Sequence, residues 1–109
     1  MIVSCKSIAN PLGALTVPTI GDRYVVLEVV GPPASGALLR IDLDGGRRPS
    51  LWPIAMFTTT DPNPGKDWIA EILPNGTFRL GPRVWAHASF WDDFFDGNLE
   101  AEKLYDEGI

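Results

Sequence analysis

Proline and glycine recur along the whole chain and divide it into short segments. The 109 residues include ten prolines and eleven glycines, spread through the sequence rather than clustered. Proline lacks a backbone donor and glycine favours turns, so neither supports a long helix. The pattern therefore favours many short strands joined by tight turns. This length is typical of one domain, and we expect a single domain over residues 1–109.

Four segments have strong strand signals. They are residues 23–30, 37–43, 68–73 and 77–80. The first is rich in β-branched side chains, and the second alternates from Leu39 onward between apolar and polar residues. The last two flank Asn75-Gly76, and both residues of that pair tolerate the positive φ of a type I′ turn. We therefore expect these two segments to form a hairpin.

The remaining segments before residue 87 complete a small β fold. We expect a first strand within residues 1–7, a loop over 10–14, one helical turn at 54–57 and a short edge strand at 84–86. Five or six short strands with tight turns favour a small, partly open, antiparallel SH3-like barrel over residues 1–86. A curved antiparallel sheet capped by a C-terminal helix is the alternative.

Residues 89–107 differ in character and predict an acidic helical tail. Apolar side chains recur there with a helical period, at Phe90, Trp91, Phe94 and Phe95. Ser89, with Asp92 three residues on, predicts a capping box at the start of this helix. Gly97 ends it, and Asn98 can cap a second helix.

The negative charge of the chain is concentrated in this tail. Residues 92–107 carry seven carboxylates and one lysine, a net charge of −6, whereas residues 1–91 carry eight basic and seven acidic side chains, a net charge of +1. Binding to a phosphate backbone requires clustered basic residues, so a nucleic-acid partner is disfavoured. A basic protein partner is favoured instead.

The N-terminal sequence and the cysteine content indicate a cytoplasmic protein. Cys5 is the only cysteine, whereas small secreted domains usually carry several. Polar residues interrupt the first fifteen positions, so we expect no signal peptide. No segment approaches the roughly 20 apolar residues of a membrane span, and we expect no membrane contact.

The sequence predicts no catalytic residues, no metal site and no cofactor. His87 is the only histidine, and catalytic use would require an acid or a nucleophile beside it in space, which the sequence does not show. Asp42, Asp44 and Gly45 superficially match a calcium loop, but the glutamate that such a loop needs at its twelfth position is absent. The glycines match neither a phosphate loop nor a dinucleotide fingerprint. We therefore expect no enzymatic activity and no small-molecule substrate.

The tail is instead a candidate for binding a protein partner. Four tryptophans are many for a small core, and tryptophan is enriched at interface hot spots. Acidic groups around an aromatic anchor would steer a basic partner. The candidate partner-binding residues are Trp91, Asp92, Asp93, Phe94, Asp96 and Glu100. The alternative is that the acidic tail only maintains solubility and caps the barrel.

Several short motifs follow one another in a fixed order between residues 20 and 105. The series is Gly21-x-x-Tyr24-Val-Val, Ile41-Asp-x-Asp-Gly45, Trp52-Pro53-x-x-x-Phe57, Trp68, Trp85, Phe90, Asp92, Phe94-Phe95-Asp96 and Ala101. It resembles a broad group of small bacterial proteins, several of which are believed to be immunity proteins encoded beside polymorphic or contact-dependent toxin genes. The resemblance implies an SH3-like barrel and no catalytic residues.

The resemblance implies a non-enzymatic protein that neutralises a cognate toxin. A basic toxin domain would suit the acidic tail. The alternative is a phage-encoded or housekeeping SH3-like adaptor that binds another protein. The sequence departs from the group in the glycine- and arginine-rich loop Asp44–Arg48 and in the proline pair at 32 and 33. Loops carry recognition, so these departures affect the binding face.

We expect the purified chain to hold no stoichiometric metal, because the sequence lacks a ligand cluster. Elemental analysis of protein prepared without chelator or affinity tag measures this directly. One equivalent of zinc or calcium per chain would contradict the expectation.

Overall fold

The computed structural model describes residues 1–8, 13, 16–32, 36–87 and 89–109, and within these it contains eight strands and two α-helices. The strands are β1 (Ile2–Cys5), β2 (Arg23–Val25), β3 (Glu28–Gly31), β4 (Leu38–Ile41), β5 (Ser50–Pro53), β6 (Phe57–Asp61), β7 (Trp68–Ile72) and β8 (Phe78–Pro82). The helices are α1 (Phe90–Phe95) and α2 (Leu99–Gly108). The predicted loop over 10–14 lies outside the described residues, except for Gly13.

The strands form two antiparallel sheets. A three-stranded sheet has the order β2-β1-β6, and a five-stranded sheet has the order β5-β4-β3-β8-β7. The two sheets do not close into a barrel. The prediction of a small, mainly β, partly open antiparallel fold with a short helical segment at its C-terminus is therefore confirmed.

The predicted strand over 23–30 is two strands in different sheets. β2 pairs with β1 in the small sheet, and β3 pairs with β4 and β8 in the large one. The chain changes sheets at Val26 and Leu27, whose amides donate to the carbonyls of Met1 and Arg40 respectively. Bends of this kind form the corners between packed sheets.

The space between the two sheets contains the larger core. Nine buried side chains form it: Val3, Cys5, Val26, Val29, Leu39, Ile41, Trp52, Met56 and Phe57. Val29 and Leu39 lie opposite each other in the register of β3 and β4. A 3₁₀ turn at Ile54–Met56, where the sequence predicted one helical turn, carries the chain from the large sheet to the small one and buries Met56.

The predicted hairpin is present, but its turn is of a different type. The Gly76 amide donates to the carbonyl of Leu73, and the Leu73 amide donates to the carbonyl of Thr77. Gly76 has a φ of 87°, whereas Asn75 is not among the residues with positive φ. The connection is therefore a three-residue loop of the type I turn plus G1 bulge class, and the predicted type I′ turn is wrong.

The second core lies among the helices and the turn that precedes them. Its buried members are Leu27, Trp85, Phe90, Phe94, Ala101 and Tyr105. Trp85 stacks against Phe90 and Tyr105, and its indole N–H donates to the carbonyl of Leu104 at 2.9 Å. Residues Arg83–Trp85 form a 3₁₀ turn, so the edge strand predicted at 84–86 is wrong. The turn places Trp85 between the helices, where a strand would have continued along the sheet edge.

Both predicted helices are present, and one of the two predicted caps is correct. Asn98 Oδ1 accepts a hydrogen bond from the Ala101 amide at the start of α2. Ser89 makes no side-chain cap to α1. Its hydroxyl donates instead to the Asp93 carboxylate at 3.1 Å, so the predicted capping box is wrong.

We expect Asn98→Ala to lower the free energy of unfolding by about 1 kcal/mol, because it removes the acceptor for an otherwise unpaired helix amide. Asn98→Ser retains an oxygen at this position and should remain close to the wild type. Urea unfolding followed by tryptophan fluorescence measures both variants. Equal stability of the alanine variant and the wild type would show that α2 does not depend on this cap.

Candidate functional site

A buried carboxylate lies at the centre of the outer face of the five-stranded sheet. Glu28 is only 2% exposed and accepts hydrogen bonds from three side chains. Arg40 Nε donates to its Oε1 at 3.2 Å. Arg79 donates to its Oε2 through Nη2 at 2.6 Å and through Nε at 3.0 Å. The indole N–H of Trp91 donates to Oε1 at 3.2 Å. A charge this deep requires such partners.

The strand register explains why these residues meet. Glu28 lies opposite Arg40 across β3 and β4, and Arg79 lies opposite Glu71 across β7 and β8. Side chains alternate between the faces of a strand, so Val29 points into the core between the sheets while Glu28 points to the opposite face. Arg79 Nη1 also donates to Glu71 Oε1 at 3.0 Å. We call Glu28, Arg40, Glu71 and Arg79 the charge cluster.

Trp91 of helix α1 covers the charge cluster. The guanidinium carbon of Arg40 lies 4.0 Å from the centroid of the Trp91 ring, a cation–π distance. Arg40 is 9% exposed, and burial lowers its pKa despite the opposing attraction of Glu28. One aromatic side chain therefore joins the helix to the sheet through both a hydrogen bond and a stacking contact.

A cleft of about 220 Å³ opens beside Trp91. The four residues of the charge cluster line it, together with Trp91 and Trp85. Val30, Leu73, Thr77, Ala86 and His87 complete the lining. The cleft therefore combines an aromatic and aliphatic wall with a few charged groups, the composition of a binding site.

The structure separates the predicted partner-binding residues into three environments. Asp92, Asp96 and Glu100 are exposed, and Trp91 and Asp93 are half-buried. Phe94 is only 6% exposed and packs in the second core, in stacking contact with Tyr105. Phe94 is therefore an internal packing residue in this structure, because the helix turns it toward α2.

Two large apolar side chains lie among the exposed carboxylates. Phe95 is 48% exposed and Leu99 is 81% exposed. Phe95 ends α1 and Leu99 begins α2, so both flank the turn between the helices. We call Asp92, Phe95, Asp96, Leu99 and Glu100 the acidic surface. Sequence reasoning left Leu99 out of the partner-binding set, and its position beside the Asn98 cap could have indicated its exposure.

The glycine- and arginine-rich loop Asp44–Arg48 contacts helix α2. Arg47 adopts a φ of 60° and forms an ion pair with Asp106. Its guanidinium carbon also lies 5.1 Å from the centroid of the Tyr105 ring. Burial and the nearby Asp42 carboxylate raise the pKa of Tyr105 to about 12, so this phenol is neutral at physiological pH. The glycine- and arginine-rich loop therefore contacts α2 through Arg47.

The described residues show no group of three or more histidine, cysteine, aspartate or glutamate side chains that could hold a metal ion. Within the same ranges, no helix is long and apolar enough to cross a membrane. His87 is exposed and makes an edge contact with the Phe90 ring. Glu28 accepts hydrogen bonds from Arg40, Arg79 and Trp91, an arrangement that suits a carboxylate with a structural role.

No known protein family, curated protein or solved structure matches this chain. The resemblance to immunity proteins therefore stays a prediction.

We expect Glu28→Gln to destabilise the fold by about 3–5 kcal/mol, because it leaves two buried arginines without their shared counter-charge. Asp67→Asn is a matched control. The Arg83–Asp67 pair has the same 3.2 Å separation as the Arg40–Glu28 pair, but both of its side chains are more than half exposed. The control should cost less than about 1 kcal/mol. Denaturant unfolding measures both, and equal losses would contradict the role given to Glu28.

Proposed function

We propose that this chain is a non-enzymatic cytoplasmic protein that binds and neutralises a basic bacterial toxin, and that the acidic surface is its docking face. The observation that carries the proposal is the pair of exposed apolar side chains, Phe95 and Leu99, set among exposed carboxylates. Apolar anchors surrounded by charge are typical of protein interfaces.

The charges of the tail remain available to a partner. Among the residues that the structure describes, Asp106 is the only carboxylate of residues 92–107 in an ion pair. Asp92, Asp96 and Glu100 therefore present uncompensated negative charge. Such a field accelerates association with a basic protein and is screened within about 10 Å at 0.1 M salt.

The two kinds of residue contribute to different rate constants. Exposed charges mainly set the association rate, whereas buried apolar anchors mainly set the dissociation rate. Phe95 and Leu99 are the anchors that the structure exposes. Trp91 is a weaker candidate, because its indole N–H and one ring face already contact Glu28 and Arg40.

We expect the double variant Asp92→Lys and Asp96→Lys to slow association with the toxin domain encoded beside this gene by about tenfold or more at low salt. The double variant Asp22→Lys and Glu107→Lys is the control. It makes the same change in net charge at exposed positions away from the acidic surface, so its association rate should change much less. Surface plasmon resonance at several salt concentrations gives both rate constants.

Phe95→Ala should speed dissociation and leave the association rate nearly unchanged. Equal slowing of association by both double variants would mean that net charge, not the acidic surface, attracts the partner. The immunity function would be contradicted if no toxin domain were encoded beside this gene, or if that domain did not bind the wild-type chain. An adaptor that binds another protein would then be the alternative.

A further inference from the structure

Arg40 has hydrogen-bonding capacity that the described protein does not use. Its Nε donates to Glu28, but its two terminal nitrogens have no acceptor among the described residues. The side chain is nevertheless almost buried, at 11% exposure. Arg79 differs, because its three nitrogens donate to Glu28, Glu71 and the carbonyl of Pro82. Uncommitted donors on a largely desolvated guanidinium favour an incoming acceptor.

The terminal nitrogens of Arg40 are partly exposed to solvent. Among the described residues, Asp42 Oδ1 is the only fully buried side-chain nitrogen or oxygen without a hydrogen-bond partner. The terminal nitrogens of Arg40 therefore reach open space, and Arg40 lines the cleft beside Trp91. At about 220 Å³, this cleft is smaller than the usual site for a drug-sized ligand and suits a small one.

The walls of the cleft suit a ligand with one charged end and one planar or aliphatic end. Trp91 and Leu73 provide apolar surface, and Thr77 and His87 provide polar groups. A guanidinium presents parallel N–H groups that match the two oxygens of a carboxylate. We propose that the cleft binds a small organic carboxylate, with its oxygens on the terminal nitrogens of Arg40 and its organic part against Trp91 and Leu73.

Replacement of Glu71 tests the sign of the charge on the ligand. Its carboxylate also lines the cleft, and its side chain is 31% exposed. An anionic ligand is repelled by Glu71, whereas a cationic ligand is attracted to it. Replacement by glutamine removes the charge but retains an acceptor for Arg79, so the fold should persist. Glu71→Gln should therefore tighten the binding of a carboxylate and weaken the binding of a cation.

The experiment uses three ligands of similar shape and different charge: benzoate, neutral benzamide and cationic benzamidinium. Each is titrated into the ¹⁵N-labelled full chain. Benzoate should shift the Trp91 indole N–H and the Arg40 Nε–H, and it should bind at least about tenfold more tightly than benzamide. The indole of Trp52, which donates to Ser50 on the other side of the sheet, should not shift.

Arg40→Lys should weaken benzoate binding about tenfold, because it retains the charge and loses the two-nitrogen fork. If that variant does not fold, Glu71→Gln decides the question. An acetylated dipeptide with a free C-terminal carboxylate is titrated as well, and tighter binding of the dipeptide than of benzoate assigns the carboxylate to a peptide rather than a free acid. Benzamidinium binding as tightly as benzoate, weaker benzoate binding by Glu71→Gln, or equal shifts at Trp52 and Trp91 would overturn the proposal.

Discussion

The carboxylate of Glu28 joins the five-stranded sheet to the first C-terminal helix. It accepts hydrogen bonds from arginines on the two strands beside its own and from the Trp91 indole of α1. Desolvation of these charges is costly, so the charge cluster is weak evidence for a gain in overall stability. Its clearer effect is geometric. The hydrogen bond and the Arg40 contact fix where Trp91 lies on the sheet, and this in turn positions both the cleft and the acidic surface.

The fold depends on covering both faces of the five-stranded sheet, and strand alternation identified the buried side chains of only one face. Alternation in residues 37–43 correctly placed Leu39 and Ile41 on a core face. The same alternation placed Arg40 on the opposite face but could not show that Trp91 covers it, because that contact joins residues 51 positions apart. Polar residues on a strand usually face water, whereas here the C-terminal helical segment packs over them.

The charge cluster was not predicted because the expected turn gave β7 and β8 the wrong pairing register. A two-residue Asn75-Gly76 turn would have paired Glu71 with Leu80, whereas the three-residue loop pairs Glu71 with Arg79. One residue of slip exchanges the faces of a strand, so the charge cluster could not be predicted with the wrong turn type. The tail shows the opposite case. Its helical period correctly predicted α1, but periodicity alone did not distinguish buried Phe94 from exposed Phe95, because α2 decides which face is covered.

The most direct test of this account is the environment of Trp91 in solution. We expect nuclear Overhauser contacts between the Trp91 ring protons and the Arg40 side chain, together with slow hydrogen exchange of the Trp91 indole N–H. Both should weaken in Glu28→Gln, because the neutral amide attracts Arg40 less strongly than the carboxylate does. The Trp85 indole, bonded to the Leu104 carbonyl, serves as an internal reference in the wild type. A Trp91 indole that exchanges at the rate of an exposed tryptophan, without contacts to Arg40, would contradict the central role of the buried carboxylate.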